Sequence, residues 1–378
     1  MHQEYPPRTA DGAAGAGTVR PLSAAFLIEH ALGHVTHAGV LRAAAAERTD
    51  IAEHFVQVPY VAADWPARVH GLPFSLRLSL RARAALVQLP QAPDVLFFHT
   101  QALLPACWGR IAATPTVVSM DATPADFEAL ASAYDSHVAT GIKGSVKHAL
   151  FRSLFARTHS FVAMSDWVRA GLQRDYGVDG TRITVVPPGI DTAAFAPTPP
   201  HPGGGPLRLL FVGGDFLRKG GAILLDAWRA GLSACCELDI VSRDAHVVPS
   251  PSLRVHTGLG PGDPALRALF AQADVFVHPS RGDASPFAIV EALASGLPVV
   301  ATAVGAVAEM VEHDQQGLVL PVDNPAALVA AVRALAADPA RRAAMGRAAR
   351  AAAVARFDGG RNAQRVLDVV AAAARRHR

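Results

Sequence analysis

The sequence predicts an α/β protein of two doubly wound domains, each a parallel sheet covered by helices on both faces. Three features carry this. Short apolar runs alternate with helix-length segments along the whole chain. The runs are apolar throughout, the pattern of strands buried on both faces. A Pro/Gly-rich stretch, APTPPHPGGGP at 196–206, divides the runs into two similar sets.

In chain order, residues 1–20 lack an apolar core and are expected to be a disordered lead-in. Strands follow at 24–30 (AAFLIEH), 55–58 (FVQV), 94–100 (DVLFFHT), 114–121 (TPTVVSMD), 160–165 (SFVAMS) and 183–189 (ITVVPPG). Beyond the linker they recur at 207–213, 238–242, 254–259, 275–280, 297–302 and 317–321. The spacing leaves room for right-handed crossover helices. The domains are accordingly 21–195 and 207–357, joined by 196–206. A helix over 358–378 closes the chain and is free to pack back on the first domain. In such sheets ligands lie beyond the carboxyl ends of the strands, so the residues that follow strands carry the functional reading.

Composition narrows the class. Half the residues are apolar (51%) and the formal net charge is only +3. Much of the basic excess sits in the terminal ARRHR, and no Lys/Arg stripe with interleaved aromatics appears, which argues against a nucleic-acid partner. A pI near 9.0 leaves room for an anionic ligand or membrane surface. Cys107, Cys235 and Cys236 show no disulfide pattern. No run approaches the roughly 20 apolar residues of a membrane span. A cytoplasmic protein is expected, with peripheral contact at the inner membrane face open to it.

Two segments of the second half carry chemistry. In GDASPFAIVEALASG (282–296), Ser285 before Pro286 predicts a capped helix from about Pro286 to Ser295, with Gly296 beyond its end. The free amides of Phe287 and Ala288 would then face an anion at the positive end of the helix. Asp283 precedes the helix, whereas Glu291 lies just over one turn into it. That separation suits gripping two ends of a long ligand better than acid–base work on one atom. A carboxylate accepts two adjacent hydrogen bonds, as from a vicinal diol. No His or Cys stands at ligand spacing nearby, so no metal is expected. As a structural element alone, the stretch is a capped helix with ordinary acids.

In LLFVGGDFLRKGGAILLDAW (209–228) a strand runs into Gly213 and Gly214, then Arg218 and Lys219 before a helix. This is neither a GxGxxG fingerprint nor a P-loop. Its glycines permit close backbone approach, and its cations suit a diphosphate. Alone it is a common turn with two solvated cations. Together, the two segments provide for a ribose, a diphosphate and a sugar in line, which is a nucleotide sugar.

With these motifs the chain resembles the group 1, or family 4, retaining glycosyltransferases, whose GT-B fold sets two Rossmann-like domains face to face across a cleft. The likeness runs from about residue 22 to 357. SDWVRAGLQRDYGVDGTRITVVPPGIDTAAFAP (165–197) resembles the family's crossing segment, FVGGDFLRKGG its phosphate loop, and HPSRGDASPFAIVEALASGLPVVAT its E-x7-E motif. The resemblance implies that Glu291 holds the nucleotide ribose, Asp283 the transferred sugar, and Arg218 with Lys219 the diphosphate of a UDP- or GDP-sugar. It implies front-face attack by an acceptor hydroxyl without a metal cofactor. Three departures stand out: Asp283 replaces the usual Glu, Gly214 occupies a common arginine position, and Met120-Asp121 replaces His-Asp.

On the first domain, His99, Asp121 and Ser165 end strands and are candidate acceptor contacts, while Ser165 could equally cap the next helix. His34 and His37 border the same region, on a loop or a helix flank. GIKGSVKHALFRSLFARTHSF (141–161) alternates basic and apolar residues, as a membrane-surface helix or a core-packed one would. The acceptor is a glycan, lipid-linked or small molecule. Two other readings share the fold: a nucleotide-sugar epimerase or hydrolase, and a non-catalytic nucleotide-sugar-binding protein.

Overall fold

A computed structural model describes residues 20–30, 33–59, 71–130, 141–197 and 205–376. The lead-in to residue 19 and most of the 196–206 linker lie outside them.

The first half folds as β1 (Leu22–His30), α1 (Gly33–Ala46), β2 (Ile51–Pro59), α2 (Phe74–Val87), β3 (Val95–His99), α3 (Trp108–Ala113), β4 (Thr116–Met120), α4 (Pro124–Ala129), α5 (Gly141–Arg157), β5 (Ser160–Ala163), α6 (Asp166–Tyr176) and β6 (Ile183–Val185). The second half is β7 (Leu207–Val212), α7 (Gly221–Ala227), β8 (Cys236–Val241), β9 (Leu253–His256), α8 (Pro264–Gln272), β10 (Val275–His278), α9 (Phe287–Ala294), β11 (Val299–Thr302), α10 (Val307–Met310), β12 (Gly317–Leu320), α11 (Pro325–Ala337), α12 (Pro339–Arg356) and α13 (Gly359–Arg375). Every predicted strand has its counterpart. The largest shifts are of four residues: β6 ends at Val185 before the expected 189, and β2 starts before the expected 55, because Ile51 to His54 pair with the opening of β1 despite Glu53 and His54.

All pairings are parallel, in the orders β2-β1-β3-β4-β5-β6 and β12-β11-β10-β7-β8-β9. Each sheet carries an apolar core on both faces. That is why β1 is apolar and buried from Leu22 to Ile28 but for Ser23. In the second sheet the chain starts outward in one direction from β7, then returns to its other side at β10. The crevice between β7 and β10 is therefore the switch point where such folds place ligands.

The chain crosses between the sheets twice, and the crossings touch. Ile190 N–H donates to Phe357 O at 3.0 Å, and Gly359 N–H to Ile190 O at 2.8 Å. A Cβ on Gly189 would meet Gly359 Cα at 2.6 Å, so only glycine fits this approach. α13 then returns to the first sheet. Its Val366, Leu367, Val370 and Ala371 pack with Phe26, Phe97 and Leu41.

The carboxyl edges of the two sheets face each other. Gly33, which opens α1 beyond β1, sits so near Phe287 of α9 that a Cβ would approach the ring to 2.7 Å. Glu309 of α10 accepts from the first-turn amides of α6, Asp166 N–H at 2.7 Å and Trp167 N–H at 2.6 Å.

Candidate functional site

The loops after β7 and β10 meet at the switch point. After β7 the chain turns through 213–220 and enters α7 at Gly220, whose φ of +85° is left-handed. A Cβ there would fall 1.8 Å from Pro279 O of the opposite loop, so this glycine lets the two loops interlock. Arg281 N–H donates to Arg218 O at 3.0 Å and Ser280 Oγ to the same carbonyl at 3.3 Å.

This seam brings together the residues the sequence singled out, most of them already engaged. Arg218 is buried; its Nε donates to Asp215 Oδ2 at 2.9 Å and Nη1 to Gly282 O at 2.8 Å. Lys219 Nζ pairs with Asp283 Oδ2. His278, the last residue of β10, lies with Nε2 at 3.0 Å from the same oxygen. Burial would raise the Asp283 pKa, but the Lys219 ammonium and the His278 hydrogen bond outweigh it and hold the carboxyl well below its usual range. Burial lowers both Lys219 and His278. A neutral His278 that serves a carboxylate carries its proton on Nε2. Its Nδ1 lone pair is then buried without a partner. Asp283 Oδ1 accepts from no described residue, so it remains open to a ligand hydroxyl.

Glu291 differs in kind. It is buried on α9, its carboxyl hydrogen-bonds to no described residue, and burial alone pushes its pKa up to about 8. Its helix does not start as expected. Pro286 is the N-cap with extended backbone, and Ser285 makes no capping bond. The Ser285 hydroxyl is instead buried and unpartnered. The proline ring fixes the entry angle and leaves Ser285 one position too early to reach the first-turn amides. Phe287 and Ala288 occupy the first two helical positions, one nearer the start than expected, and their amides have no intrahelical acceptor. Gly296, with φ +72°, follows the helix end.

On the first domain the acceptor-side candidates divide. His99 is fully buried rather than open to the cleft. The rings of His34 and His37, from the first turns of α1, pack over it with centroids 4.6 Å away. Its Nδ1 contacts Ser119 Oγ at 3.3 Å. Burial lowers His37 to about 4 and His99 well below its usual value. Ser165 is an N-cap, accepting from Val168 N–H at 3.2 Å, which is the structural role weighed for it. Asp121 is half-buried just beyond β4, near Glu29. The Glu29 carboxyl, raised by burial, accepts from Thr100 Oγ1 at 3.0 Å.

Sequence reasoning passed over His278, Asp215, Arg243 and Glu309. His278 had a usable signal, as a polar residue closing an apolar strand at the switch point. Among the described residues, no three His, Cys, Asp or Glu side chains cluster as a metal set. No helix among them is long and apolar enough to cross a membrane.

Two doubly wound domains facing across a cleft, with the glycine loop and the acid-bearing helix at one switch point, are the GT-B architecture. The family described as glycosyl transferases group 1 matches residues 206–338, and glycosyltransferase family 4 matches 30–194. The chain belongs to the group 1/family 4 glycosyltransferases. It is 35% identical over 244 residues to D-inositol 3-phosphate glycosyltransferase of Kineococcus radiotolerans, covering 55% of this chain and 56% of that one. It is 34% identical over 163 residues to MMP alpha-(1->4)-mannosyltransferase of Mycolicibacterium hassiacum, covering 39% and 38%. The chain thus spans about half the length of the curated relatives it matches. By fold it is similar to sucrose-phosphate synthase of Thermosynechococcus elongatus, with a TM-score of 0.73 at 16% identity over 92% of this chain and 98% of that one. HepE of Anabaena, solved with UDP and glucose, matches with a TM-score of 0.63 at 15% identity over 93% and 99%.

Proposed function

We propose that the protein transfers a hexose from a UDP- or GDP-sugar to an acceptor hydroxyl, with retention of anomeric configuration and without a metal cofactor. The observation that carries the reading is Glu291. It is a buried carboxyl with no partner among the described residues, on the same switch-point edge as Lys219, Asp283 and the open amides of Phe287 and Ala288. An unpartnered buried carboxyl costs stability, and a ribose diol would supply the missing donors. The first-turn amides, backed by Lys219 and the Gly213–Gly214 backbone, suit a diphosphate. Asp283 Oδ1 suits a hydroxyl of the transferred sugar.

In that arrangement the protein stabilises charge on the departing diphosphate, which itself helps take the proton from the attacking hydroxyl. The facing first domain, with Gly33 against Phe287, covers the seam and limits access of water. Asp121 is the acceptor-side residue best placed to touch an acceptor, since His99 is fully buried. Exposed Ile142 (84%) and Val146 (62%), one turn apart on α5 beside Lys143, support peripheral contact with an anionic membrane.

The test is binding followed by turnover. UDP and GDP are titrated calorimetrically, then sugar release is followed with and without candidate acceptors. The Glu291→Ala protein is expected to lose donor affinity and turnover together. Rapid epimerisation or stoichiometric hydrolysis without acceptor refutes transfer. Unchanged nucleotide affinity in Glu291→Ala refutes the ribose contact.

A further inference from the structure

The two cations expected to meet the diphosphate are each tied to a carboxylate: Arg218 to Asp215 and Lys219 to Asp283. A third cation stands beside the same loop. Arg243 follows β8, the strand next to β7, and is exposed. Its Nε donates to Gly214 O at 3.2 Å. A Cβ built on Gly214 would meet Arg243 Nε at 3.2 Å, Nη2 at 3.4 Å and Cζ at 3.6 Å. The guanidinium therefore lies over the glycine, where a side chain at 214 would stand.

Its position is fixed by its neighbours. Asp244 Oδ1 accepts from Phe216 N–H at 2.9 Å and from Ser242 Oγ at 2.9 Å, and Gly213 N–H donates to Val241 O at 2.9 Å. These bonds lash the turn after β8 to the glycine loop. They also direct the neighbouring Asp244 carboxylate to the loop backbone. Among the described residues Arg243 forms no ion pair.

We propose that Arg243 is a donor-binding residue that pairs with a phosphate oxygen of the nucleoside diphosphate. This rests on the proposed donor site and adds to it a cation whose charge is not already spent on an acid. Guanidinium presents several donors to one anion, and moving from a single carbonyl contact to a charged oxygen gains a charge-assisted bond. Because Arg243 comes from a neighbouring strand, its role depends on the bareness of Gly214.

The experiment titrates UDP, GDP and the matching nucleosides into the wild-type chain, Arg243→Gln, and Arg243→Gln combined with Gly214→Arg. Gly214 lies outside the left-handed region, so an arginine is sterically admissible there. Arg243→Gln is expected to bind the diphosphate about tenfold more weakly, with nucleoside binding unchanged. The double variant is expected to recover most of that loss. Equal diphosphate affinity in wild type and Arg243→Gln, or an equal loss of nucleoside binding, overturns the proposal while the donor site stands. A wild-type chain that binds neither nucleotide overturns both. Melting temperatures of all three proteins report whether the fold is intact.

Discussion

Replacing Glu291 by Gln tests the electrostatics of the site without any ligand. Burial lifts this carboxyl from 4.5 to about 8. Between those values the folded chain keeps a proton that the unfolded chain releases, so stability falls as pH rises through the interval. With about 1.4 kcal/mol per pKa unit, the wild type forgoes about 1 kcal/mol by pH 5 and about 3 kcal/mol by pH 7. Glutamine is nearly isosteric and cannot ionise, so it escapes this cost, although its amide brings its own unmet donors. For a chain of this length about 3 kcal/mol corresponds to roughly 4 °C in Tm. Scanning calorimetry of both proteins at pH 5, 6, 7 and 8 reads the result. The variant is expected to exceed the wild type by a margin that widens from about 1 °C at pH 5 to roughly 4 °C at pH 7. Parallel Tm curves would refute the reasoning, because they would mean Glu291 titrates alike in folded and unfolded chains.

Asp283→Asn leaves the Lys219 ammonium without its counter-charge; a loss of about 3–5 kcal/mol is expected at pH 7. Since burial already lowers the Lys219 pKa, that loss should shrink as pH rises towards 10, which denaturant titration at several pH values would show. Gly220→Ala drives a methyl into Pro279 O at a left-handed position and is expected to cost at least about 3 kcal/mol, read as a drop in Tm together with weaker nucleotide binding. Glu309→Ala removes two charge-assisted bonds between the domains, worth about 1–3 kcal/mol together at this part-exposed site, and should enlarge the radius of gyration in small-angle scattering.

The two-sheet plan was legible because burial on both faces leaves no polar face to confuse the pattern. β1 and β3 are near-continuous apolar runs, and Gly213, Gly220 and Gly296 fall at breaks between elements. Helix entry at Ser285 was misjudged because the local rule for Ser-Pro ignores what the proline does. Its extended backbone makes Pro286 the cap and strands the serine hydroxyl. His99 was placed on the cleft from its position at a strand end. Strand ends are covered when the next helix returns over them, and His34 and His37 do so here.

The ion pairs were the least legible part of the site, and their arrangement bears on the Asp283 departure. Asp215 lies three residues before Arg218, so that pair is local and readable in principle. Lys219 and Asp283 are 64 positions apart and meet because β7 and β10 are neighbours in the sheet, a matter of topology. His278 and Lys219 both converge on one oxygen, Oδ2, and so orient the short Asp283 side chain. The other oxygen, Oδ1, accepts from no described residue. A longer glutamate at 283 would carry its carboxylate one methylene beyond this pair of donors. The histidine at the end of β10 and the aspartate at 283 therefore form a matched set: with Lys219, His278 fixes which oxygen of the shortened acid is spent on the protein.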